Sequence, residues 1–481
     1  MRLHLLLLPP LHLLLLSSLF TLAGCPPTAG DTDTARPAIP DLPSENQRPP
    51  EDTAAPVEHI GDATETGPKV FAHLPVLRIE VESPPTDHDK TAGTLTVIED
   101  HDGTLEDLDT APVAFASPIG LELHGSSSLD QPKQGYKLEC RDADGEDTAC
   151  SLLGLPAGSD WVLHAPYSDK TYMRNALAYG IARAMAEPTG RWEPRTQYVE
   201  LFLGGDYRGV YLLVERVSRE ADRLDIPRTT DPVTGAVAGG FIVKVDQHRS
   251  QGFDSAMGTP IDYVTPRAAE VTLGETAYIK AWFDETERAL MSPTFTDPVD
   301  GYAAYLDVDA WVDQWLLNEL TGNVDGYRLS AYLWADGPPG HAKLRAGPAW
   351  DYDRGFGNVN YCVSWNTDGW VWDHVNQCGW AGQIPLWWQR LRSDPAFEAR
   401  LRTRWVELRA DLLTDEALSG RIAALQAETA EAEVRDHDRW RVIGTFVFPN
   451  WYVAPTWEGE VTWLEDWVLT RAEWMDAHVG E

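Results

Sequence analysis

Two aspartates separated by one residue, Asp351 and Asp353, occupy the part of the sequence with the clearest chemical potential. They follow a run over 342–349 that predicts a strand, and Gly355 and Gly357 behind them allow a sharp turn. Carboxylates at this spacing can converge on one hard cation, because Mg²⁺ takes one or two carboxylates and leaves its other positions to water and phosphate oxygens. A solvated acidic turn is the alternative, since Asp and Gly are also common turn residues.

A second acidic loop precedes that pair. The pattern predicts a helix over 308–320 with Gly322 as its C-cap, and the loop behind it carries Asn323 and Asp325. A strand over 329–334 then leads back toward Asp351 and Asp353. The second half of the chain therefore offers an Asp loop, a short hairpin and a second Asp motif, in that order.

A loop of small residues in the first half could hold phosphate. A predicted strand runs into Gly125, Ser126 and Ser127, and the chain then re-enters a strand that carries Lys133 and Lys137. Backbone N–H groups of such a loop can cradle a phosphate, and a lysine on the returning strand can reach it. An ordinary hairpin is the alternative, because Gly/Ser turns are common.

Composition excludes one class of partner. Hydrophobic residues make up 43% of the 481 residues, and 20 residues are Trp. This composition is typical of a globular protein with a large core. The net charge of −36 argues against a nucleic-acid binder, because phosphate backbones would be repelled. A basic macromolecular partner or divalent cations fit this charge better. The alternative is that the acidity serves solubility alone.

The cysteines and the first residues indicate export. Residues 1–24 have a positive start, a Leu-rich stretch and small residues before Cys25, which is the pattern of a secretory signal. The end of that segment resembles a bacterial lipobox, in which the Cys is lipidated. Residues 25–69 are polar and Pro-rich, so they predict a flexible tether.

In an exported chain two further cysteine couples are plausible disulfides. These couples are Cys140 with Cys150 and Cys362 with Cys378.

The elements that must position these residues change character along the chain. The first half predicts strands at 76–81, 94–98, 119–124, 132–138, 160–163, 198–203, 207–214 and 239–246. One helix, capped by Ser168 or Asp169, is expected there through about Met185. The second half predicts helices at 275–291, 308–320, 385–410, 415–433 and 462–478. The expected fold is α+β, with a sheet-rich first half and a helical second half.

This order of parts is the one that a phosphoryl-transfer enzyme of kinase type needs. The motifs resemble those of the CotH family, the spore-coat-protein-H-like kinases, over roughly residues 75–400. They are His124-Gly125-Ser126-Ser127 with Pro132-Lys133 and Tyr136-Lys137, Trp161-Val162-Leu163 with Asp169 and Arg174-Asn175, Gly209 to Glu215, Gly239-Gly240-Phe241, Asn318-Glu319 with Asn323-x-Asp325, and Trp350-Asp351-Tyr352-Asp353 with Phe356-Gly357.

The resemblance implies an atypical minimal protein-kinase-like fold that binds ATP with Mg²⁺ or Mn²⁺ and phosphorylates protein hydroxyls. It implies that Lys137, with Lys133 as the less favoured candidate, contacts the nucleotide phosphates beside the Gly/Ser loop. Glu215 would lie at the lobe connection near adenine. Asp325 would orient the attacking hydroxyl or accept its proton. The metal would be held by Asp351 and Asp353.

Two departures from the family pattern concern the phosphate loop and the metal site. His124 and Ser126 stand where the family commonly has Arg and Asn. Kinase catalytic loops place a metal-binding Asn five residues after the Asp, and the same offset from Asp325 gives Ser330. A serine hydroxyl is a poorer metal ligand than an Asn carbonyl. Three nearby asparagines could replace it: Asn323, Asn358 and Asn360.

Three functions remain open on this sequence. We expect a kinase anchored to the bacterial cell envelope through acylated Cys25, with a basic or Ser-rich protein as substrate. Its catalytic domain would cover residues 70–410, and a helical extension would cover 411–481. A non-catalytic surface or assembly module on the same fold is the alternative. A metal-dependent hydrolase could use the same carboxylates but would not need Lys137.

Overall fold

The computed structural model describes residues 73–99, 111–247 and 252–480. All of them belong to one of the two units into which the chain divides, residues 61–481. The predicted signal peptide and tether, with Cys25, lie outside the described residues, and both stay predictions.

A closed barrel occupies the first half of the chain. Its strands are β1 (Val76–Val81), β2 (Thr91–Ile98), β3 (Val113–His124), β4 (Gly135–Cys140), β5 (Asp160–His164), β6 (Thr196–Leu203) and β7 (Asp206–Glu215). Neighbouring strands follow the order β1-β2-β3-β4-β5-β7-β6, and the ring closes where β1 pairs in parallel with β6. Successive side chains point to opposite faces of a strand, so one set, including Leu121, Leu138 and Leu163, fills the barrel.

The outward-facing set of barrel side chains joins a second, larger core. Val162, Leu212 and Val214 lie in this core together with apolar residues of the second sheet and the helices. The second sheet contains β8 (Phe241–Val245), β9 (Gly252–Asp254), β10 (Pro260–Thr265), β11 (Ala331–Ala335) and β12 (Arg345–Ala346). Its strand order is β12-β11-β8-β10-β9. One strand of the helical half, β11, therefore pairs with β8 from the first half.

Helices dominate the second half, as the sequence predicts. Helix α1 (Arg174–Ala186) lies in the first half, and the second half contains α2 (Leu273–Met291), α3 (Val308–Thr321), α4 (Val371–Gln377), α5 (Leu386–Arg392), α6 (Pro395–Arg409), α7 (Asp415–Thr429), α8 (Ala432–Trp440) and α9 (Trp457–His478). The α+β class is confirmed. In the described part of the chain, no helix combines the length and the apolar composition that crossing a membrane requires.

The predicted helix over 385–410 is wrong in one respect, because the structure divides it into α5 and α6. Asp394 caps α6 by accepting a hydrogen bond from the N–H of Ala396 at 2.9 Å. Pro395 occupies the first turn of α6, and a proline disfavours the helical conformation in the residue before it. The predicted helix over 415–433 is likewise divided, since α7 ends at Thr429 and α8 begins at Ala432.

Two other boundaries differ from the prediction. Helix α1 begins only at Arg174, although Asp169 still accepts the N–H of Arg174 at 2.9 Å and so satisfies a donor of the first turn. The strand predicted over 342–349 shrinks to β12, because Pro348 has no N–H to give to the ladder.

Both predicted disulfides are confirmed. Cys140 at the end of β4 is bonded to Cys150, and Cys362 is bonded to Cys378 just after α4. The second bridge closes the segment that follows Asp351 and Asp353, so it constrains the chain beside those residues.

Candidate active site

Helix α1 fixes the backbone around the two aspartates. The N–H of Asp351 donates to the hydroxyl of Tyr179 at 3.0 Å, and the N–H of Tyr352 donates to Oδ1 of Asn175 at 2.6 Å. Asp351 has a φ of 66°, a left-handed conformation that a non-glycine residue adopts only when its surroundings hold it there. The turn that carries Asp351 and Asp353 is therefore held in place from the neighbouring helix.

The two carboxyl groups are close and mutually unfavourable when both are charged. Burial of the carboxyl group raises the pKa of Asp351 and the charge of Asp353 raises it further, although the residue as a whole is exposed to solvent. Burial also raises the pKa of Asp353, whose carboxyl group hydrogen-bonds to that of Asp351. A cation placed between such a pair would relieve the repulsion and favour both charged forms.

The loop after α3 brings Asn323 and Asp325 to the same place. Helix α3 ends at Gly322, which takes the left-handed conformation that suits a C-cap. The side-chain amide of Asn323 donates to the carbonyl of Asp351 at 3.0 Å, and its Oδ1 accepts the N–H of Asp325 at 3.1 Å. Asn323 thus joins the two acidic loops through their backbones.

Two arginines hold the carboxylate of Asp325. Nη2 of Arg328 lies 2.6 Å from Oδ1, and Nη1 of Arg354 lies 3.2 Å from Oδ2. Both oxygens therefore accept charge-assisted hydrogen bonds. The sequence gives no sign of this arrangement, although Arg354 lies directly after Asp353 and Arg328 lies three positions after Asp325.

The asparagines considered as substitutes for the missing metal ligand have other contacts. The amide of Asn358 donates to the carbonyl of Asp353 at 2.9 Å, and its Oδ1 accepts from Asn450 at 2.9 Å. The N–H of Asn360 donates to the carbonyl of Pro449 at 2.9 Å. Ser330 has a φ of 50° just before β11. Asn358 thus positions Asp353 by contacting the backbone carbonyl of that residue.

The two candidate lysines differ in accessibility. Lys137 faces outward on β4, pairs with Glu122 directly across on β3, and has a side chain that is 28% exposed. Lys133 is 1% exposed and forms an ion pair with Asp436 of α8, between the rings of Tyr172 and Tyr211. Only Lys137 is accessible to a bound molecule without rearrangement of the core.

Two histidines connect Lys137 to the aspartates. Burial lowers the pKa of His124 to about 3, and the charges of Lys137, Arg216 and His164 add to this shift. Burial lowers the pKa of His164, and the negative charge of Asp351 opposes that effect. Lys137 therefore acts on His124, His124 interacts with His164, and His164 interacts with Asp351. The amide of Asn175 contacts Nε2 of His164 at 3.1 Å and its Oδ1 accepts the N–H of Tyr352, which places the end of β5 beside the loop that carries Asp351.

The second sheet borders the same region. Burial raises the pKa of Tyr332 on β11, which the charges of Lys244 and Arg216 oppose and the charge of Asp351 reinforces. Lys244 lies on β8, and Arg216 follows the last residue of β7. His164, Arg216 and Lys244 were not predicted as site residues, because their strands meet only in the folded chain.

The Gly/Ser loop follows β3 at the edge of this region. Gly125 and Ser126 are exposed, and Ser127 begins a single 3₁₀ turn that ends at Asp130. Gly125 has a φ of 135°, and a β-carbon there would come 2.1 Å from Oγ of Ser128. Only glycine fits this position, so the loop can bring its backbone close to a ligand.

Glu215 lies where the barrel ends. It is fully buried as the last residue of β7, and its carboxylate accepts hydrogen bonds from Nε of Arg195 at 2.8 Å and from the N–H of Arg195 at 2.9 Å. The chain then leaves the barrel toward β8. Glu215 is thus at the predicted connection between the two sheets, with its side chain bound to Arg195.

The acidic residues fit a metal that keeps much of its water. Among the residues that the structure describes, no three His, Cys, Asp or Glu side chains are grouped as a metal cage. A pair of repelling carboxylates fits Mg²⁺, which is bound through one or two carboxylates with water and phosphate oxygens completing its octahedron. Asp351 and Asp353 are the residues that would hold it.

The chain matches a known protein family. The family model described as CotH kinase protein matches residues 121–475. The match begins in β3, includes every site residue discussed above, and ends within α9, so it contains the segment after residue 410. No curated protein matches the chain.

Proposed function

The chain belongs to the CotH kinase protein family, and from that premise we propose that it transfers the γ-phosphoryl group of ATP to a hydroxyl group of a protein. The observation that carries the proposal is that Asn323 joins the two acidic loops, and that Asn175 holds the second of them against His164 at the end of β5 of the barrel. The acidic loops supply Asp325 and the pair Asp351 and Asp353, and the barrel supplies Lys137. A triphosphate, a metal ion and an attacking hydroxyl group need these two kinds of surface side by side.

Each group of residues has a role in this proposal. Mg²⁺ or Mn²⁺ held by Asp351 and Asp353 would neutralise the charge that develops on the phosphate oxygens. Lys137 binds the phosphates beside the N–H groups of Gly125 and Ser126. Asp325 orients the acceptor hydroxyl and takes its proton.

The kinase-like fold belongs to the same proposal. The barrel with its Gly/Ser loop and Lys137 would act as the nucleotide-binding part, and the helices with the two acidic loops would act as the catalytic part. The second sheet and Glu215 connect them, which supports binding of adenine near this connection.

The cellular location of the protein is also part of the proposal. The signal-like residues 1–24 and the lipobox-like end at Cys25 support export and lipid anchoring to the bacterial cell envelope. Two disulfides in the folded domain agree with an oxidising compartment. Labelling of the chain by a radioactive fatty acid in cells, with Cys25→Ser as the control, tests this anchor, and equal labelling of both would reject it.

A non-catalytic binding module is the second candidate. It is favoured by the two arginines that occupy both oxygens of Asp325, and by Ser330 at the position of the expected asparagine. In this reading the fold is kept for adhesion or envelope assembly.

Two measurements separate these candidates. We expect a rise in the unfolding temperature that requires both ATP and Mg²⁺ or Mn²⁺, because the metal joins the phosphates to the aspartates. We also expect phosphate transfer to a basic protein substrate by the wild type and none by Asp325→Asn. Nucleotide binding without transfer by the wild type would favour the binding module. Equal transfer by Asp325→Asn would reject the role given to Asp325.

A further inference from the structure

The two arginines on Asp325 have different surroundings. Arg328 is 6% exposed, donates to Oε1 of Gln383 at 2.6 Å and stacks on the ring of Trp380 at 4.4 Å. These contacts fix its guanidinium group independently of Asp325. Arg328 therefore belongs to the permanent frame of the loop.

Arg354 is the more exposed of the two arginines. Its side chain is 29% exposed, and Nη1 makes contacts of 3.2 Å with Asp325 and 3.3 Å with the hydroxyl of Tyr361. The permanent cation of Arg354 thus lies against Asp325, directly after Asp353 in the chain, with one side open to solvent.

A phosphoryl group entering this site needs such a cation. Three carboxylates repel a triphosphate, and two of them are neutralised only when a metal is present. The planar guanidinium group matches the geometry of phosphate oxygens and can bind two of them at once. Arg354 directly follows Asp353 in the sequence and touches Asp325, so it connects the chain segment of the metal-binding pair with the proposed catalytic carboxylate.

We propose that Arg354 binds the γ-phosphoryl group during transfer and uncovers Oδ2 of Asp325 as it does so. This inference rests on the proposed function. In the step, the bond between the γ-phosphorus and the bridging oxygen of ADP breaks, and a bond from the same phosphorus to the acceptor oxygen forms. The hydroxyl proton passes to Oδ2 of Asp325, the atom that Arg354 covers in the nucleotide-free chain. Arg328 keeps Oδ1 and so holds the carboxylate in position.

A comparison of ATP and ADP tests this role without relying on turnover. Thermal unfolding is measured with Mg²⁺ and either nucleotide for the wild type, Arg354→Gln, Arg354→Lys and Arg400→Gln. Arg400 pairs with Asp309 at 2.8 Å on the surface of α6 and serves as the matched control. We expect the wild type and Arg400→Gln to be stabilised more by ATP than by ADP. Arg354→Gln should show equal shifts with both, and Arg354→Lys should keep part of the difference.

Kinetics give the second readout. We expect Arg354→Gln to lower kcat by on the order of 10²-fold, because one donor to developing charge is lost, while the stabilisation by ADP stays unchanged. Arg354→Gln that keeps both the ATP preference and a kcat within about threefold of the wild type would overturn the inference. If Arg354→Gln does not fold, the same two criteria are applied to Arg354→Lys. A wild type that neither binds nucleotide nor transfers phosphate rejects the proposed function itself, and this inference with it.

Discussion

Lys133 and Lys137 lie four positions apart in the sequence and differ completely in surroundings. Lys133 is enclosed with Asp436, which also accepts the N–H of Val210 at 2.7 Å and the hydroxyl of Tyr172 at 3.1 Å. This buried cluster ties α8 to the barrel. Lys137 instead pairs with Glu122 at the surface of the site region, and this pair does not tie a helix to the barrel.

Replacement of each lysine by methionine should separate stability from ligand binding. Lys133→Met leaves Asp436 as an unpaired buried charge, so we expect a loss of about 3–5 kcal/mol in the free energy of unfolding. Lys137→Met removes a partly exposed pair, so we expect a loss of about 1 kcal/mol or less. Only Lys137→Met should abolish the stabilisation by ATP with Mg²⁺ in a variant that remains folded. Denaturant titration and thermal shift measure the two effects, and the reverse pattern would show that Lys133 is the phosphate contact.

Glu193 should make stability depend on pH. It lies in the lining of a small hollow with Arg191 and Asp313, and its carboxylate accepts the N–H of Ala349 at 2.7 Å. Burial raises the pKa of Glu193 from 4.5 to about 7. The folded state therefore binds this proton more tightly than the unfolded state, and the free energy of unfolding falls as pH rises from about 4.5 to about 7.

Glu193→Gln should remove that dependence. We expect the variant to be more stable than the wild type by about 1–3 kcal/mol at pH 8, with the difference vanishing near pH 4, because glutamine carries no charge to desolvate. Urea unfolding at a series of pH values measures the difference. A constant difference across that range would show that Glu193 does not titrate between folded and unfolded states.

The sequence could reveal the carboxylates and Lys137, because their signals are local: a strand, a turn and a residue type. It could not reveal the partners that decide their chemistry. Arg354 reaches Asp325 across 29 positions, and Asp436 reaches Lys133 across 303. Such pairs depend on how distant loops pack, and no pattern in one sequence carries that information.

Helix α9 supports both acidic loops. Arg471 is 1% exposed, pairs with Glu319 at 3.0 Å and donates to the carbonyl of the same residue at 2.8 Å. The ring of Trp467 lies so close that a β-carbon on Gly322 or Gly357 would come within 2.7 Å of it. These two glycines border the two acidic loops, so α9 forms one wall behind the site.

Arg471→Met should destabilise the whole domain. We expect a loss of about 3–5 kcal/mol in the free energy of unfolding, since the buried Glu319 loses its partner. Arg402→Met is the control, because Arg402 is exposed and donates to the carbonyl of Gly480 at 2.8 Å. In the double variant Glu319→Gln with Arg471→Met part of the loss should return. A loss as small as that of the control would mean that α9 is not needed to hold the loops.

Element boundaries depended on residues that compete with the regular pattern. The apolar spacing over 385–410 favours one continuous helix, yet Asp394 and Pro395 divide it by capping a new one. By contrast, the strands of the barrel could be predicted closely, since alternation is a local property. The closure of the barrel through the parallel pairing of β1 with β6 could not, because no turn joins those two strands.

At the scale of the whole molecule, the net charge of −36 should control encounter with a substrate. We expect kcat/KM for a basic protein substrate to fall by about tenfold as ionic strength rises from about 0.05 M to about 0.5 M, because salt screens the attraction. A neutral peptide with the same acceptor should show little change. Equal salt dependence for both substrates would indicate that the acidity serves solubility and does not select the partner.

The position of α9 also has a consequence for biosynthesis. The barrel is complete once β7 has been translated, but Trp467 and Arg471 reach the acidic loops only after nearly all of the chain has left the ribosome. A nascent chain can thus present a folded barrel while its aspartate loops still lack their supporting wall. If the chain transfers phosphate as proposed, we expect that activity to require the complete polypeptide, because α9 is the last element of the chain.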